Sequence, residues 1–151
     1  MMETLIVLAV ILLDRVTKIA AVKWLAPIGS IPLWQDVFHL SYHTNTGAAF
    51  SILSGKTKLL GFFSVLVSIG LIIYLVRYRR TLSKISRLGL TFILSGAIGN
   101  GIDRLAFGAV VDFFDFRLIR FAIFNVADSF ITVGVVLLLI GLLFYDKELL
   151  H

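Results

Sequence analysis

Apolar residues run along this chain in four long blocks, divided by stretches of different character. The first, from Thr4 to about Leu25, is interrupted by Asp14, Arg15 and Lys18; the second, Leu59 to Val76, carries no charge. The third, Leu88 to about Leu105, is rich in glycine and other small residues, and the fourth runs uncharged from just beyond Asp128 to Tyr145. At about 1.5 Å per residue, blocks of this length suit a hydrocarbon layer roughly 30 Å thick. The pattern predicts an all-α membrane protein with four transmembrane helices, about 4–25, 59–76, 88–105 and 125–145, forming one polytopic domain over 1–151. The first block reads as a spanning helix and not a cleavable signal, because Glu3 precedes it and Asp14, Arg15 and Lys18 interrupt it.

The connections differ from one another. Residues 27–58 are polar and aromatic, and the alternation Val37-Phe38-His39-Leu40-Ser41-Tyr42 predicts short strands. Gly47-Ala48-Ala49-Phe50 begins a small-residue, amphipathic piece expected to lie along the membrane surface. Together these predict a small β-rich and amphipathic loop region on the outer side. The connection 77–87 holds Arg77, Arg79, Arg80, Lys84 and Arg87 with no acid, the mark of a cytoplasmic loop. Both termini are then cytoplasmic, and loops 27–58 and 107–123 face outward.

Composition agrees with this picture and excludes several classes. Hydrophobic residues make up 59% of the 151 and charged ones only 15%, with a mean hydropathy of +1.00; soluble domains carry about a quarter charged. The net charge of +5 comes with basic residues gathered in one loop, so no nucleic-acid partner is expected. There is no cysteine, hence no disulfide, thiol nucleophile or cysteine metal site. His39 and His43 could share a metal only on a helix, and the alternation around them argues for a strand, so no metal or cofactor is expected.

The chemistry is concentrated between Ser95 and Ile131, where Asn100, Asp103, Arg104, Asp112, Asn125 and Asp128 stand at the edge of apolar blocks. Ionisable groups at membrane depth are costly and usually face a protein interior. Helix three rises toward the outer face and helix four begins there, so Asn100, Asp103 and Arg104 meet Asn125 and Asp128 at similar depth. Asp14 and Lys18, one turn apart on helix one, reach the same level. Asp112 and Asp128 can therefore be a carboxylate pair that shares one proton and activates water. The alternative is that Asp128 only caps helix four and Asp112 is a solvated loop acid like Asp115. Asn100, Asp103 and Arg104 can hold helices together or touch a substrate, with Asp103 or Asp14 as the acid for Arg104. Asp14 with Lys18 can be an internal ion pair or a proton relay, and Arg15 points off that face to snorkel. Asn45 and Gly47 can be turn residues alone.

Five short elements, in order, resemble those of the prolipoprotein signal peptidases, or signal peptidase II: Asp14-Arg15-Val16-Thr17-Lys18, Asn45-Thr46-Gly47-Ala48-Ala49-Phe50, Gly99-Asn100-Gly101-Ile102-Asp103-Arg104, Val111-Asp112-Phe113 and Phe124-Asn125-Val126-Ala127-Asp128. One departure is Ser95, where many members have glycine. The resemblance implies a multi-pass aspartyl endopeptidase of the bacterial inner membrane. Such an enzyme removes the signal peptide from diacylglyceryl-modified prolipoproteins just before the lipidated cysteine. It implies Asp112 and Asp128 as the catalytic pair, Asn45, Asn100, Arg104 and Asn125 as residues lining the substrate site, and Asp14, Lys18 and Asp103 as support. The small side chains from Gly47 onward would let a peptide backbone pass closely. Partners are then the lipidated substrate and membrane lipid, with the protein a monomer. The rival reading is a small ion- or proton-coupled transporter with Asp14, Lys18, Asp103 and Arg104 as relay. Against it, the acids crowd one end and the chain has no internal repeat.

Overall fold

A computed structural model describes residues 2–47 and 52–146. Its helices are α1 (Met2–Ala20), prolonged by one π-helical turn (Ala21–Leu25), α2 (Thr57–Tyr78), α3 (Lys84–Ala106) and α4 (Val126–Phe144). Among the described residues, α2, α3 and α4 are long and apolar enough to cross a membrane. α1 has the length of α4 but carries Glu3, Asp14, Arg15 and Lys18, of which Asp14 and Lys18 are turned fully inward. The basic stretch is a shorter connection than the sequence suggests, because α2 continues through Arg77 and α3 already includes Lys84 and Arg87.

α3 is the axis of the bundle, with α1, α2 and α4 all packed on it. Its small residues explain why. A Cβ added at Gly89 would lie 2.6 Å from the carbonyl oxygen of Gly134, one at Gly134 would lie 2.6 Å from that of Gly89, and one at Gly96 would lie 2.3 Å from that of Ala127. The backbones of α3 and α4 thus touch along this seam, the close approach that small residues permit in lipid. At the far end of the seam, Asp146 accepts hydrogen bonds from the Ser83 amide, the Ser83 hydroxyl and the Ser86 hydroxyl, fastening the exit of α4 to the first turn of α3.

Over the other end sits an antiparallel sheet of order β1-β2-β3: β1 (Ser30–Trp34), β2 (Phe38–Asn45) and β3 (Val110–Phe116). β2 and β3 pair with Asn45 opposite Val110, Thr44 opposite Val111 and His43 opposite Asp112. β3 corrects the reading of 107–123 as a plain loop. Its valines and phenylalanines favour a pleated surface, and Phe113 joins Ala21, Leu25 and Val126 in the buried core where sheet meets helices. The amides of Phe113 and Phe114 both donate to the carbonyl of Phe124, so the chain entering α4 is moored to β3. His39 and His43 lie on β2, not a helix, which removes the one arrangement that would make them joint metal ligands. The amphipathic piece expected at 47–50 falls, beyond Gly47, outside the described residues.

Candidate active site

The site is built where β3 meets the first turn of α4. Asp112 is the third residue of β3 and is 2% exposed. Asp128 is the third residue of α4, and Asn125 is that helix's N-cap. Asn125 and Asp128 form a reciprocal cap: the Asn125 side-chain oxygen accepts from the Asp128 amide (3.0 Å), and the Asp128 carboxylate accepts from the Asn125 amide (3.2 Å). With its oxygen so used, the Asn125 amide nitrogen donates outward, to Asp112 Oδ1 at 2.6 Å and to Asn100 Oδ1 at 3.2 Å. One fully buried side chain therefore touches both carboxylate-bearing elements.

Each carboxylate has a second amide on its other oxygen. Asn45, at the end of β2, donates from Nδ2 to Asp112 Oδ2 at 3.0 Å and accepts from the Gly47 amide at 2.9 Å. Asn100 donates from Nδ2 to Asp128 Oδ1 at 2.7 Å. The orientation of Asn100 is fixed in turn by Lys18, whose ammonium donates to Asn100 Oδ1 at 2.9 Å. That ammonium also donates to Asp14 Oδ2 at 2.7 Å and forms an ion pair with Asp103 Oδ2 at 2.7 Å, an oxygen that has no hydrogen-bond partner among the described residues. Asp14 closes the ring from α1 to α4 by accepting from the Ala127 amide at 2.9 Å, a carboxylate set against a helix N-terminus.

Two pairings differ from the sequence reading. Arg15, expected to snorkel, forms the ion pair with Asp103 at 2.6 Å and stands over the ring of Phe107. Arg104 is left with neither Asp14 nor Asp103 as a contact partner. It donates instead to the carbonyl of Gly47 at 3.2 Å, and the strongest attraction on its charge comes from Asp128, followed by Asp112. Its Nε is buried without a hydrogen-bond partner among the described residues. The sequence could not choose between these pairings, since α1 and α3 have no register until they pack.

Asp112, Asp128, Asn45, Asn100 and Arg104 line one cavity of about 450 Å³. Its remaining wall is mostly apolar, including Val110, Phe121, Ile131 and Val133, with the hydroxyl residues Ser129 and Thr132 among them. Burial, and then the negative charge of Asp128, push Asp112 up to about 6 against an ordinary 3.8, although both asparagine hydrogen bonds pull the other way. Two carboxylates on one cavity, each held by donors on both oxygens, can share a proton and work on a bond placed between them. Asp112 is thus no solvated loop acid, and neither is Asp115. The latter accepts from Ser41 and Arg117 in a polar cluster with Ser30 and buried His39 on the sheet, which sequence reasoning missed. The period-two spacing of Ser30, His39, Ser41 and Asp115 across paired strands becomes visible only once the register is known.

Comparison with known proteins sets the whole chain beside a family. The sequence model of the family described as Signal peptidase (SPase) II matches residues 6–144. The chain is 52% identical over 129 residues to a lipoprotein signal peptidase of Nostoc punctiforme, covering 85% of this chain and 81% of that one. It is 46% identical over 144 residues to one from Brevibacillus brevis, covering 95% and 96%. A bacterial membrane enzyme whose structure was solved by the in meso method superposes with a TM-score of 0.81 at 33% identity, over 95% of this chain and 94% of the other.

Proposed function

The chain belongs to the signal peptidase II family, and from that membership we propose that it is an aspartyl endopeptidase that cuts the signal peptide from diacylglyceryl-modified prolipoproteins just before the lipidated cysteine. Asp112 and Asp128 are the catalytic pair in this reading. The observation that carries it is Asn125, which bonds Asp112 through its side chain and Asp128 through both its amide and its side-chain oxygen, so that two acids from distant parts of the chain face one cavity.

Peptide hydrolysis without a covalent intermediate needs a base to take a proton from water and an acid to supply one to the carbonyl oxygen. A pair sharing one proton supplies both, and its titration belongs to the pair. One carboxylate draws the proton from water as it attacks the scissile carbonyl. The other donates its proton to the developing oxyanion; the first then passes the proton it took from water to the leaving nitrogen, while the second recovers its own from the gem-diol hydroxyl as the C–N bond breaks. Arg104, with its charge toward the pair and its Nη2 on the Gly47 carbonyl, and Asn45, beside Asp112, are the groups that would orient the substrate. Asn100 and Asn125 keep the carboxylates aimed, while Asp14, Lys18 and Asp103 brace them. These three are ion-paired with one another and with Arg15, and Lys18 also donates to Asn100, as a brace requires.

The same reading takes α1 as a fourth span, its inward charges paired, with both termini cytoplasmic and the sheet on the outer face of a bacterial cell membrane, in a protein that acts as a monomer. The test is cleavage of a synthetic diacylglyceryl prolipoprotein by purified protein in detergent. Asp112→Asn and Asp128→Asn should each abolish cleavage while melting like folded protein; full activity in either removes it from the pair.

A further inference from the structure

A second cavity, of about 510 Å³, lies on the opposite face of the β2–β3 ribbon from the carboxylates. The strand alternation makes this plain. Asn45, Val110 and Asp112 line the first cavity; Thr44, Ala109 and Val111 line the second, and no residue lines both. The second cavity is completed by α1 and its π-helical turn, with Arg15, Lys18, Ile19, Val22 and Lys23, and by Tyr42, Asp103 and Phe107.

Three cations and one carboxylate line it; Asp14, behind the wall, pairs with Lys18, so one cation remains in excess, and Lys23 is the one with no carboxylate in the cluster. Asp103 accepts a hydrogen bond from one guanidinium nitrogen of Arg15 and is ion-paired with Lys18. A guanidinium carries five N–H donors in a planar fork suited to phosphate, so Arg15 retains capacity after this pairing. Lys23 is exposed, 5.7 Å from the ring centre of its neighbour Trp24. The Arg15 guanidinium sits 4.9 Å from the ring centre of Phe107, which is the C-cap of α3, so this long side chain brings its charge to the end of the bundle that bears the sheet. Below it, Leu5, Leu8, Leu12, Val16 and Ile19 are all exposed at helical spacing and form an apolar rail up α1 into the mouth of the cavity.

An apolar rail that ends at a half-open, cationic cavity has the shape and charge of a phospholipid site. The geometry points to the binding of one anionic phospholipid here, its phosphodiester between Arg15 and Lys23 and an acyl chain along the rail of α1. The site requires only that α1 border lipid and is independent of the roles given to Asp112 and Asp128.

The experiment counts lipids retained by the full chain in detergent, using native mass spectrometry, with phosphatidylglycerol and phosphatidylcholine of identical acyl chains. One phosphatidylglycerol should be held about tenfold more tightly than phosphatidylcholine, and Lys23→Glu should weaken it about tenfold. Arg80→Glu, in the basic connection at the other end of the bundle, should change it less than about twofold. Melting curves establish that both variants fold. Equal retention of the two lipids, or no change in Lys23→Glu, overturns the site. Displacement by soluble glycerol phosphate at concentrations equal to the lipid would also overturn it, since the occupant would then be a free phosphate ester.

Discussion

Lys18→Met offers a sharp test of how the site is braced. The ammonium is 2% exposed and contacts Asp14, Asp103 and Asn100, while methionine fills nearly the same volume without charge. Removing one partner of a buried ion pair costs about 3–5 kcal/mol, because it leaves a charge without compensation. Asp103 keeps Arg15, so the orphan is Asp14, and the lower end of that range, about 3 kcal/mol, is expected. For a chain of this size that lowers the melting temperature in detergent by about 6–12 °C. The compensating change is equally specific. Asp14→Asn still accepts from the Ala127 amide but has no charge, so Lys18→Met with Asp14→Asn should recover most of the loss. Lys18→Met with Asp103→Asn should not, since it strands Arg15 as well. Thermal unfolding of the three variants decides. A single variant melting within about 2 °C of the parent, or equal rescue by both second changes, refutes the assignment of Asp14 as the dependent charge.

Other consequences are open to simpler assays. Asp112 holds its proton up to about 6 in the folded chain and to an ordinary 3.8 when unfolded, so ionising it opposes folding. Stability should therefore decline as pH rises from 3.8 to 6, by up to roughly 3 kcal/mol, and chemical denaturation of Asp112→Asn should lack that decline. Gly96→Ala would drive a methyl into the carbonyl of Ala127, next to Asp128, and should cost about 1–3 kcal/mol together with most of the cleavage activity. Gly134→Ala, in the same seam but facing Gly89 farther from the carboxylates, should match the loss of stability and keep a larger share of the rate. Asp146→Ala removes the bonds to Ser83 and Ser86 and should destabilise by about 1–2 kcal/mol while leaving the initial cleavage rate of the folded fraction unchanged.

Local patterns in the sequence carried the helical character and the strand tendency of β2, because helix and strand periodicities need no tertiary information. The four-residue spacing of Asp14 and Lys18 likewise implies their ion pair. What depended on packing was not legible. Arg15 reaches Asp103 across 88 positions, and nothing in either segment sets the rotation of α1 against α3. β3 was obscured because its two aspartates make 107–123 look like a solvated loop, whereas both carboxylates are buried and hydrogen-bonded. The proximity of Asn45 to Asp112 follows from the β2–β3 register, and the second cavity from the face that register gives to Thr44 and Val111.

The placing of Asp14 and Lys18 one turn apart on α1 bears on how such a chain is made. Synthesis delivers α1 first, when neither Asp103 nor Asn100 has left the ribosome. On the proposed reading of α1 as a span, a helix in which Asp14 and Lys18 already cancel presents only Arg15 of these three charges to the lipid without a partner. When α3 follows, its Asp103 supplies the acid that Arg15 lacked and meets Lys18 as well, which leaves Asp14, Arg15, Lys18 and Asp103 neutral as a group.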